Sequence, residues 1–448
     1  MLSKSFNLKL NHKISPFNKI IKVDPDKSIS IRSFLLGSIS QNISSVKNAL
    51  ESDDVFSTIN CLRKLGVKIK RIKSKNYLIY GKGLGSLRAK KNMILNFGNS
   101  GTLARLLIGI LSTTPNIQLT VKGDQSLNKR NMKKLINLMT EYGATFLPKN
   151  KVNFPLKIIS TDMPVGISYK SGVSAQLKSA VILAGLNSYG LTKITDKGKS
   201  RDHTENMLLK NHKSINIRNK KDKVINVYGK RALESFNIDV PGDPSSAAFF
   251  TALTVLNKNS SLKIKGVGLN PTRIGFYNLL KKQGAKIKFS KIKRKNNEIR
   301  GDILVKSSKL KPLKTNKVNY PSTADEFPIL FVIAAFTQGV SVFRGIGDLV
   351  NKESNRILEM QKILKQIGIK SISKKDEIKI FGKNLINASE KKIVIPNLGD
   401  HRICMSSFIL SILSGCKTKI KNFETVNTSS PSFLKTMKFL GVKFEKQK

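Results

Sequence analysis

LRKLGVKIKRI, residues Leu62–Ile72, ends an apolar helical pattern at Gly66 and continues as a short alternating strand. The glycine suits the residue after a helix C-terminus, where it adopts the left-handed conformation without steric strain. The same unit recurs at four further glycines, Gly143, Gly284, Gly368 and Gly441. A degenerate copy lies near Lys213. A spacing of about 70 to 84 residues is too long, and six copies are too few, for a solenoid. The pattern therefore predicts six β/α units, grouped as two domains of three.

A second helix in each unit opens on a cluster of small polar residues. The clusters are DKSIS, GNSGTLARLL, SGVSAQLKSA, GDPSSAAFF, STADEFPIL and GDHRICMSS, near residues 27, 100, 174, 244, 324 and 401. Helix N-termini carry unsatisfied N–H groups and a positive dipole, so six converging openings would suit a multiply anionic ligand. Six ordinary N-caps are the alternative interpretation. In the first cluster, Asp26 or Ser28 is a plausible cap.

The composition indicates a globular chain. Its 448 residues predict two or three domains. The cysteines Cys61, Cys404 and Cys416 form no CxxC pair, so neither a disulfide framework nor a zinc site is expected. The start lacks the apolar core of a signal peptide, and no apolar run reaches the length of a membrane span. We therefore expect a cytoplasmic protein, with a cleaved transit peptide left open.

The formal net charge of +53 raises the alternative of a nucleic-acid-binding protein. The excess is mostly lysine, 66 against 15 arginines, and it is scattered without aromatic platforms. This favours a solvated basic surface over a nucleic-acid site. Because arginine is scarce, each one is a candidate for bidentate binding of phosphate or carboxylate. Six lie in or beside the clusters or in nearby loops: Arg32, Arg105, Arg130, Arg201, Arg356 and Arg402.

Among the 28 carboxylates, Asp325, Glu326 and Glu353 are candidates for chemistry in the clusters or a nearby loop. An acid beside Lys352 in an arginine-rich site is a candidate general acid or base. The alternatives are a helix-dipole partner for Asp325 and an exposed ion pair for Glu353. The chain has no P-loop and no HExxH, and Ser174 has no adjacent histidine to activate it. No metal and no cofactor are expected.

In order, the chain carries DKSISIR, NFGNSGTLAR, GDQSLNKR, SAQLKSAVILAGL, SRDHTE, VPGDPSSAAFF, NPTR, DEFPIL, NKESNR and GDHRICMS. With these motifs it resembles the 3-phosphoshikimate 1-carboxyvinyltransferase (EPSP synthase) family from about residue 15 to its end. DKSIS, SAQLKSA and RDHTE are closer to the second subclass, which contains glyphosate-tolerant enzymes. The resemblance implies the two-domain α/β enolpyruvyl transferase fold, with three βαβαββ units per domain about a pseudo-threefold axis. One domain spans 25–239 and the other 1–24 plus 240–448, with the active site in the cleft between them.

The resemblance implies transfer of the enolpyruvyl group of phosphoenolpyruvate to the 5-hydroxyl of shikimate 3-phosphate, in a monomer without nucleic-acid or membrane partners. Asp325, Glu353 and Lys27 are the catalytic residues that it implies. The residues implied for shikimate 3-phosphate are Lys27, Ser28, Arg32, Ser174, Ala175, Gln176, Ser200, Arg201, Asp325 and Lys352. Those implied for phosphoenolpyruvate are Lys27, Gly101, Arg130, Gln176, Arg356 and Arg402.

The main rival within the fold is the UDP-N-acetylglucosamine enolpyruvyl transferase. It would carry Lys-Asn in place of Lys27-Ser28 and a cysteine in the glycine-rich loop near residue 125. Here that loop is GDQSLNKR. Among the departures from the family pattern, Asp24-Pro25 replaces the usual Pro-Gly. Gly101 stands where tolerant enzymes can carry alanine, which implies room for glyphosate.

Overall fold

The computed structural model describes residues 5–198, 200–219 and 222–447. By contacts the chain divides into two compact units. The contiguous unit is Pro25–Val240 with Lys295–Glu298, and the discontinuous unit is Met1–Asp24, Pro241–Arg294 and Ile299–Lys448. Each has its own hydrophobic core.

The strands of the described residues are numbered in chain order. They are β1 (Asn7–Leu10), β2 (Asn18–Ile21), β3 (Ile43–Lys47), β4 (Lys68–Lys73), β5 (Asn76–Tyr80), β6 (Ile94–Asn96), β7 (Gln118–Lys122), β8 (Thr145–Leu147), β9 (Leu156–Ile159), β10 (Ser168–Ser171), β11 (Leu191–Asp196), β12 (Ile215–Asn219), β13 (Lys223–Tyr228), β14 (Asn237–Asp239), β15 (Ser261–Gly268), β16 (Lys286–Lys295), β17 (Glu298–Lys306), β18 (Lys314–Thr315), β19 (Gly339–Arg344), β20 (Ser371–Lys374), β21 (Glu377–Gly382), β22 (Lys392–Ile395), β23 (Lys417–Ile420) and β24 (Glu445–Gln447).

The helices are numbered in the same way. They are α1 (Lys27–Ile39), α2 (Asp53–Lys64), α3 (Gly101–Ser112), α4 (Gln125–Asn128), α5 (Lys133–Glu141), α6 (Ala175–Leu186), α7 (His203–Leu208), α8 (Pro244–Leu256), α9 (Gly275–Lys282), α10 (Tyr320–Thr323), α11 (Phe327–Ala335), α12 (Arg356–Gln366), α13 (His401–Ser414) and α14 (Phe433–Phe439). Short 3-10 turns lie at Lys317–Asn319, Gly347–Asn351 and Phe423–Thr428.

The strands form six sheets of four. Their orders are β14-β3-β5-β4, β6-β7-β9-β8 and β10-β11-β13-β12 in the contiguous unit, and β16-β17-β15-β2, β18-β19-β21-β20 and β22-β23-β1-β24 in the discontinuous unit. Each sheet contains one parallel pair, and a third strand pairs antiparallel with a member of it. This common pattern confirms the prediction of six repeated β/α units.

The chain crosses between the two units twice, and the strand just before each crossing pairs within the unit that the chain is leaving. β2 precedes α1 in the sequence but pairs with β15 of the discontinuous unit. β14 precedes α8 but pairs with β3 of the contiguous unit. The chain therefore passes from one unit to the other after Asp24 and again after Val240.

The helices that open on the polar clusters form the interior of each unit. α1 contacts α3, which contacts α6, and α8, α11 and α13 contact one another. Every residue of α13 is buried, as is every residue of α11. A helix with apolar residues on all sides needs such an interior position. The outer helices end at the predicted glycines, which all have positive φ: Gly66, Gly143, Gly284, Gly368 and Gly441.

One short segment departs from the predicted boundaries. Residues 295–298 were predicted with the discontinuous domain, but they group with the contiguous unit. Lys295 forms an ion pair with Asp239 (Nζ–Oδ2 2.6 Å), and Glu298 pairs with His203. Both contacts join the ends of β16 and β17 to residues of the contiguous unit. Val240 also falls in the contiguous unit.

Candidate active site

The opening of α1 carries two cations, Lys27 and Arg32, five residues apart. Asp26 caps the helix, since its Oδ1 accepts from the Ile29 N–H at 2.8 Å. Lys27 is the first helical residue, and its Nζ lies 2.9 Å from Asp54 Oδ2. The Ser28 carbonyl accepts from Arg32 Nη1 at 3.0 Å. Of the two caps that the sequence allowed, Asp26 is the one that forms.

Arg32 is almost fully buried, and three elements hold its guanidinium. Its Nε donates to Thr204 Oγ1 of α7 at 2.8 Å, and its Nη2 donates to Ser179 Oγ of α6 at 3.1 Å. Thr204 and Ser179 also share a hydrogen bond of 2.8 Å. The orientation of Arg32 therefore depends on α1, α6 and α7 together.

Gly101 leaves a small space between two guanidinium groups at the opening of α3. A Cβ at this position would lie 2.8 Å from Nη1 of Arg105 and 2.8 Å from Nη1 of Arg130. Arg105 also donates to Gln176 Oε1 at 2.8 Å, and Gln176 Nε2 donates to Thr102 Oγ1 at 2.9 Å. Charge and hydrogen-bond donors are therefore concentrated around the N-termini of α3 and α6, where an anion is favoured.

Lys178 holds the segment before α7 in place. This lysine is fully buried, and its Nζ contacts Asp196 Oδ2 and Glu205 Oε1, each at 2.7 Å. It also donates to the Ser200 carbonyl at 3.2 Å. Burial opposes the charge of Lys178, but the two carboxylates outweigh it and raise its pKa above the ordinary value. Ser200 and the following Arg201 are thereby anchored on a buried ionic group.

Ser174 and Ala175 form the start of α6. Ser174 is the N-cap and accepts from the Leu177 N–H at 3.4 Å, and Ala175 is the first helical residue. Ser200 is buried, and its Oγ makes no hydrogen bond within the described residues. We call the candidate site residues of the contiguous unit the basic cluster: Lys27, Ser28, Arg32, Gly101, Arg105, Arg130, Ser174, Ala175, Gln176, Ser200 and Arg201.

In the discontinuous unit, Arg356 is the centre of a group of carboxylates. Its Nε donates to Asp400 Oδ2 at 2.9 Å, and its Nη2 donates to Glu353 Oε2 at 2.6 Å. Asp325 Oδ1 lies 3.8 Å from its Nη1. Burial disfavours the charge of Arg356, but Asp400 and Glu353 raise its pKa above the ordinary value. We call Asp325, Glu353, Arg356 and Asp400 the acid cluster.

The carboxylates of the acid cluster differ in exposure. The Asp400 side chain is fully buried, whereas those of Asp325 and Glu353 are 27% and 19% exposed. Asp400 also caps α13 by accepting from the Arg402 N–H at 2.9 Å. Asp400 is therefore placed to anchor Arg356, and the other two are accessible for proton transfer.

Two further cations lie in the loops and helices of this unit. Lys352 Nζ forms an ion pair with Asp348 Oδ2 at 2.6 Å. Arg402 is 5% exposed and lies over the ring of Phe249. Its Nη1 makes no hydrogen bond within the described residues. A buried guanidinium with this unused donor is suited to an anionic ligand.

The sequence-predicted site residues are divided between the two units. Lys27, Ser28, Arg32, Gly101, Arg130, Ser174, Ala175, Gln176, Ser200 and Arg201 belong to the contiguous unit. Asp325, Lys352, Glu353, Arg356 and Arg402 belong to the discontinuous unit. Sequence reasoning missed Asp400, Lys178 and Thr204 as supporting residues. Their signal was present, since each lies within a quoted motif beside a predicted ligand.

Within the described residues, no group of three or more His, Cys, Asp or Glu side chains could hold a metal ion. No helix in that part of the chain is long and apolar enough to cross a membrane.

A model of the EPSP synthase (3-phosphoshikimate 1-carboxyvinyltransferase) family matches residues 11–437. The chain belongs to the EPSP synthase family. A 3-phosphoshikimate 1-carboxyvinyltransferase of Petrotoga mobilis is 38% identical over 418 residues, which are 93% of this chain and 95% of the relative. The recognition made from the motifs is thereby confirmed, and the two alternative functions are not favoured.

Solved structures agree with this family membership. EPSP synthase from Acinetobacter baumannii superposes with a TM-score of 0.84 at 33% identity, covering 99% of this chain and 100% of that one. The enolpyruvyl transferase NikO from Streptomyces tendae gives a TM-score of 0.76 at 12% identity, covering 99% of this chain and 98% of that one. The second likeness supports the fold alone, and together they confirm the predicted two-domain enolpyruvyl transferase fold.

Proposed function

We propose that this chain transfers the enolpyruvyl group of phosphoenolpyruvate to the 5-hydroxyl of shikimate 3-phosphate, releasing phosphate. The observation that carries the proposal is that one cluster provides anion-binding groups and the other provides carboxylates for proton transfer. The basic cluster supplies arginine, lysine and helix N-termini for anions. The acid cluster supplies accessible carboxylates whose partner is a buried arginine. A reaction between two phosphorylated carboxylates requires both.

The basic cluster binds the substrates in this proposal. Shikimate 3-phosphate is held by Lys27, Ser28, Arg32, Ser174, Ala175, Gln176, Ser200 and Arg201. Phosphoenolpyruvate is held by Lys27, Gly101, Arg130 and Gln176, and on the discontinuous unit by Arg356 and Arg402. Orientation of the two reactants is a large part of the rate enhancement, because it converts a bimolecular reaction into an effectively unimolecular one.

The acid cluster moves the protons. The 5-hydroxyl oxygen bonds to C2 of phosphoenolpyruvate while Asp325 accepts the hydroxyl proton and Glu353 gives a proton to C3. The resulting tetrahedral ketal then loses phosphate as the bond between C2 and the phosphate oxygen breaks. Glu353 takes back a proton from the methyl group, and the proton on Asp325 leaves with the phosphate. Lys352 supports this chemistry by binding shikimate 3-phosphate.

Phosphate release in the presence of both substrates tests the proposal. Wild type should release phosphate only when both substrates are present. Asp325→Ala and Lys27→Ala should each lose most of the rate. Lys362→Ala is the matched control, because Lys362 is exposed and pairs only on the surface of α12. An inert wild type would overturn the function, and full activity in Asp325→Ala would overturn the assignment of the base.

We also propose that the protein acts as a monomer in the cytoplasm, without nucleic-acid or membrane partners. The scattered placement of the lysines supports this, since it resembles a solvated surface more than a binding site. Light scattering after size exclusion should give the monomer mass of 49.8 kDa. Retention of RNA at physiological salt would contradict the absence of a nucleic-acid partner.

A further inference from the structure

α7 carries three consecutive buried residues with three different partners. Thr204 accepts from Arg32 at 2.8 Å, and Glu205 pairs with Lys178 at 2.7 Å. His203, the first residue of the helix, faces Glu298: its Nδ1 lies 2.7 Å from Glu298 Oε1, and both side chains are at most 5% exposed. Two of these residues thus orient the basic cluster, and the third is tied to a distant part of the chain.

α7 has little stability of its own. It contains six residues, and Asp202 at its N-cap position makes no side-chain cap hydrogen bond. Isolated helices shorter than about 12 residues are marginal in water, so a helix this short depends on tertiary contacts. The contact between His203 and Glu298 is buried and lies at the first helical residue. It is therefore well placed to set the position of the α7 N-terminus.

Glu298 is itself held in a turn that several contacts fix to the contiguous unit. Lys295 pairs with Asp239 at 2.6 Å, and Asn296 Nδ2 donates to the Asn237 carbonyl at 2.7 Å. Asn297 Nδ2 donates to the carbonyl of Asn206, a residue of α7, at 3.2 Å. The turn 295–298 thus presents Glu298 from a fixed support.

Glu298 Oε1 also accepts from Asn206 Nδ2 of α7 at 3.3 Å. We infer that Glu298 is a positioning residue that acts through His203 and Asn206 to hold α7, and with it Thr204 and Arg201, in the geometry that binds shikimate 3-phosphate. This inference rests on the proposed function for the identity of the ligand. A contact of 2.7 Å between the ring nitrogen and this carboxyl oxygen fixes the orientation of the imidazole. Removing it should loosen the N-terminal turn of α7 while leaving α3, and hence the Gly101 region, in place.

Steady-state kinetics of Glu298 variants test the kinetic part of the inference. Glu298→Ala should raise KM for shikimate 3-phosphate by about tenfold, the scale of one hydrogen bond to a charged group. KM for phosphoenolpyruvate at saturating shikimate 3-phosphate and kcat should each stay within about twofold. Glu298→Gln keeps an acceptor and should recover most of the affinity. Lys295→Ala, which removes a half-exposed ion pair of the same turn, should have little effect.

Amide hydrogen exchange gives a readout that does not depend on the reaction. Glu298→Ala should increase exchange in residues 203–208 and leave α3 unchanged. If wild type is inert, the proposed function fails, but the exchange result still decides whether Glu298 holds α7. Unchanged exchange in α7, unchanged KM for shikimate 3-phosphate in an active enzyme, or an equal rise in both KM values with no rescue by glutamine would each overturn the inference.

Discussion

Gly101→Ala is the substitution whose effect follows most directly from distances in the structure. The added methyl carbon would lie 2.8 Å from a guanidinium nitrogen of Arg105 and of Arg130. Ordinary contact begins near 3.4 Å, so each nitrogen has to withdraw by about 0.6 Å. Both atoms are the ends of flexible side chains, and they can move without displacing the backbone. The substitution should therefore disturb the site rather than the fold.

The expected magnitude follows from the bonds that a displaced guanidinium would weaken. Hydrogen bonds to charged groups contribute about 1.5–3 kcal/mol. Losing one of them should raise KM for phosphoenolpyruvate by about 10- to 100-fold. For stability, replacing glycine by alanine in a helix gains about 0.5–1 kcal/mol, which offsets part of the steric strain. The melting temperature should change little.

The assay is steady-state kinetics for each substrate, together with thermal unfolding. Gly109→Ala is the matched control on the same helix. There the new Cβ would lie 2.6 Å from the carbonyl oxygen of Ala180, a backbone atom of α6. It should lower the melting temperature, whereas Gly101→Ala should not. An unchanged KM for phosphoenolpyruvate, or a loss of stability equal to that of Gly109→Ala, would refute the reasoning. Wild type should also be inhibited by glyphosate well below millimolar concentrations, and Gly101→Ala should be less sensitive.

Three other substitutions test the buried charges. Asp400→Asn keeps a helix cap but removes the main negative charge beside Arg356. It should lower the free energy of unfolding by about 3 kcal/mol and abolish most activity. Urea unfolding equal to that of wild type would contradict this. Lys178→Met removes the cation between two buried carboxylates, leaving Glu205 only the more distant Lys223 at 3.6 Å, and should cost about 3–5 kcal/mol. The pKa of Lys178 is raised in the folded protein. Its contribution to the free energy of unfolding is therefore complete below the unfolded pKa of about 10.4 and is lost as the pH rises through the folded pKa. If the melting temperatures of wild type and variant fall in parallel at alkaline pH, Lys178 makes no such contribution. Asp24→Ala removes three hydrogen bonds, one from Ser430 and two from Ser432. Calorimetry should show a loss of about 1–3 kcal/mol in the free energy of unfolding. An unchanged melting temperature would show that Asp24 does not stabilise the loop before α14.

The features that sequence reasoning predicted well are local ones. The αL glycines and the helix openings are properties of a few consecutive residues, so their chemistry is readable without the fold. Asp26 as a cap and Gly66 as a helix terminator are examples. The family motifs then supplied the order of the site residues, which the structure sorts into two units.

The features that escaped prediction depend on residues far apart in the chain. Asp400 reaches Arg356 across 44 positions, and Asp24 reaches Ser432 across 408. Neither pair has a spacing that a helix or hairpin would reveal. Asp24 was visible as an oddity beside Pro25, but its role as an acceptor for the loop before α14 required the fold. Residues 295–298 likewise group with the contiguous unit through contacts with residues far away in the sequence.

The hypothesis that all six helix openings serve one anionic ligand can now be refined by asking how each is capped. Asp243 caps α8 and also accepts from Arg273 Nη2 at 3.2 Å. Arg273 donates further to Ser245 Oγ at 3.0 Å. This opening already contains both a carboxylate and a buried cation, so its positive end is compensated within the protein. It is a structural cap rather than a candidate ligand site.

The openings capped by serine have a different electrostatic character. Ser100 caps α3 and Ser174 caps α6, in each case through a neutral hydroxyl. A hydroxyl satisfies one N–H without adding a negative charge, so the helix dipole stays available to an external anion. Gly101 and Gln176 lie in the first turns of these two helices, and both are proposed to contact phosphoenolpyruvate. Among α3, α6 and α8, the cap thus separates one opening that stabilises the fold from two whose dipole stays available to substrate. At α1 and α13, which Asp26 and Asp400 cap, the positive charge is supplied instead by side chains such as Lys27 and Arg402.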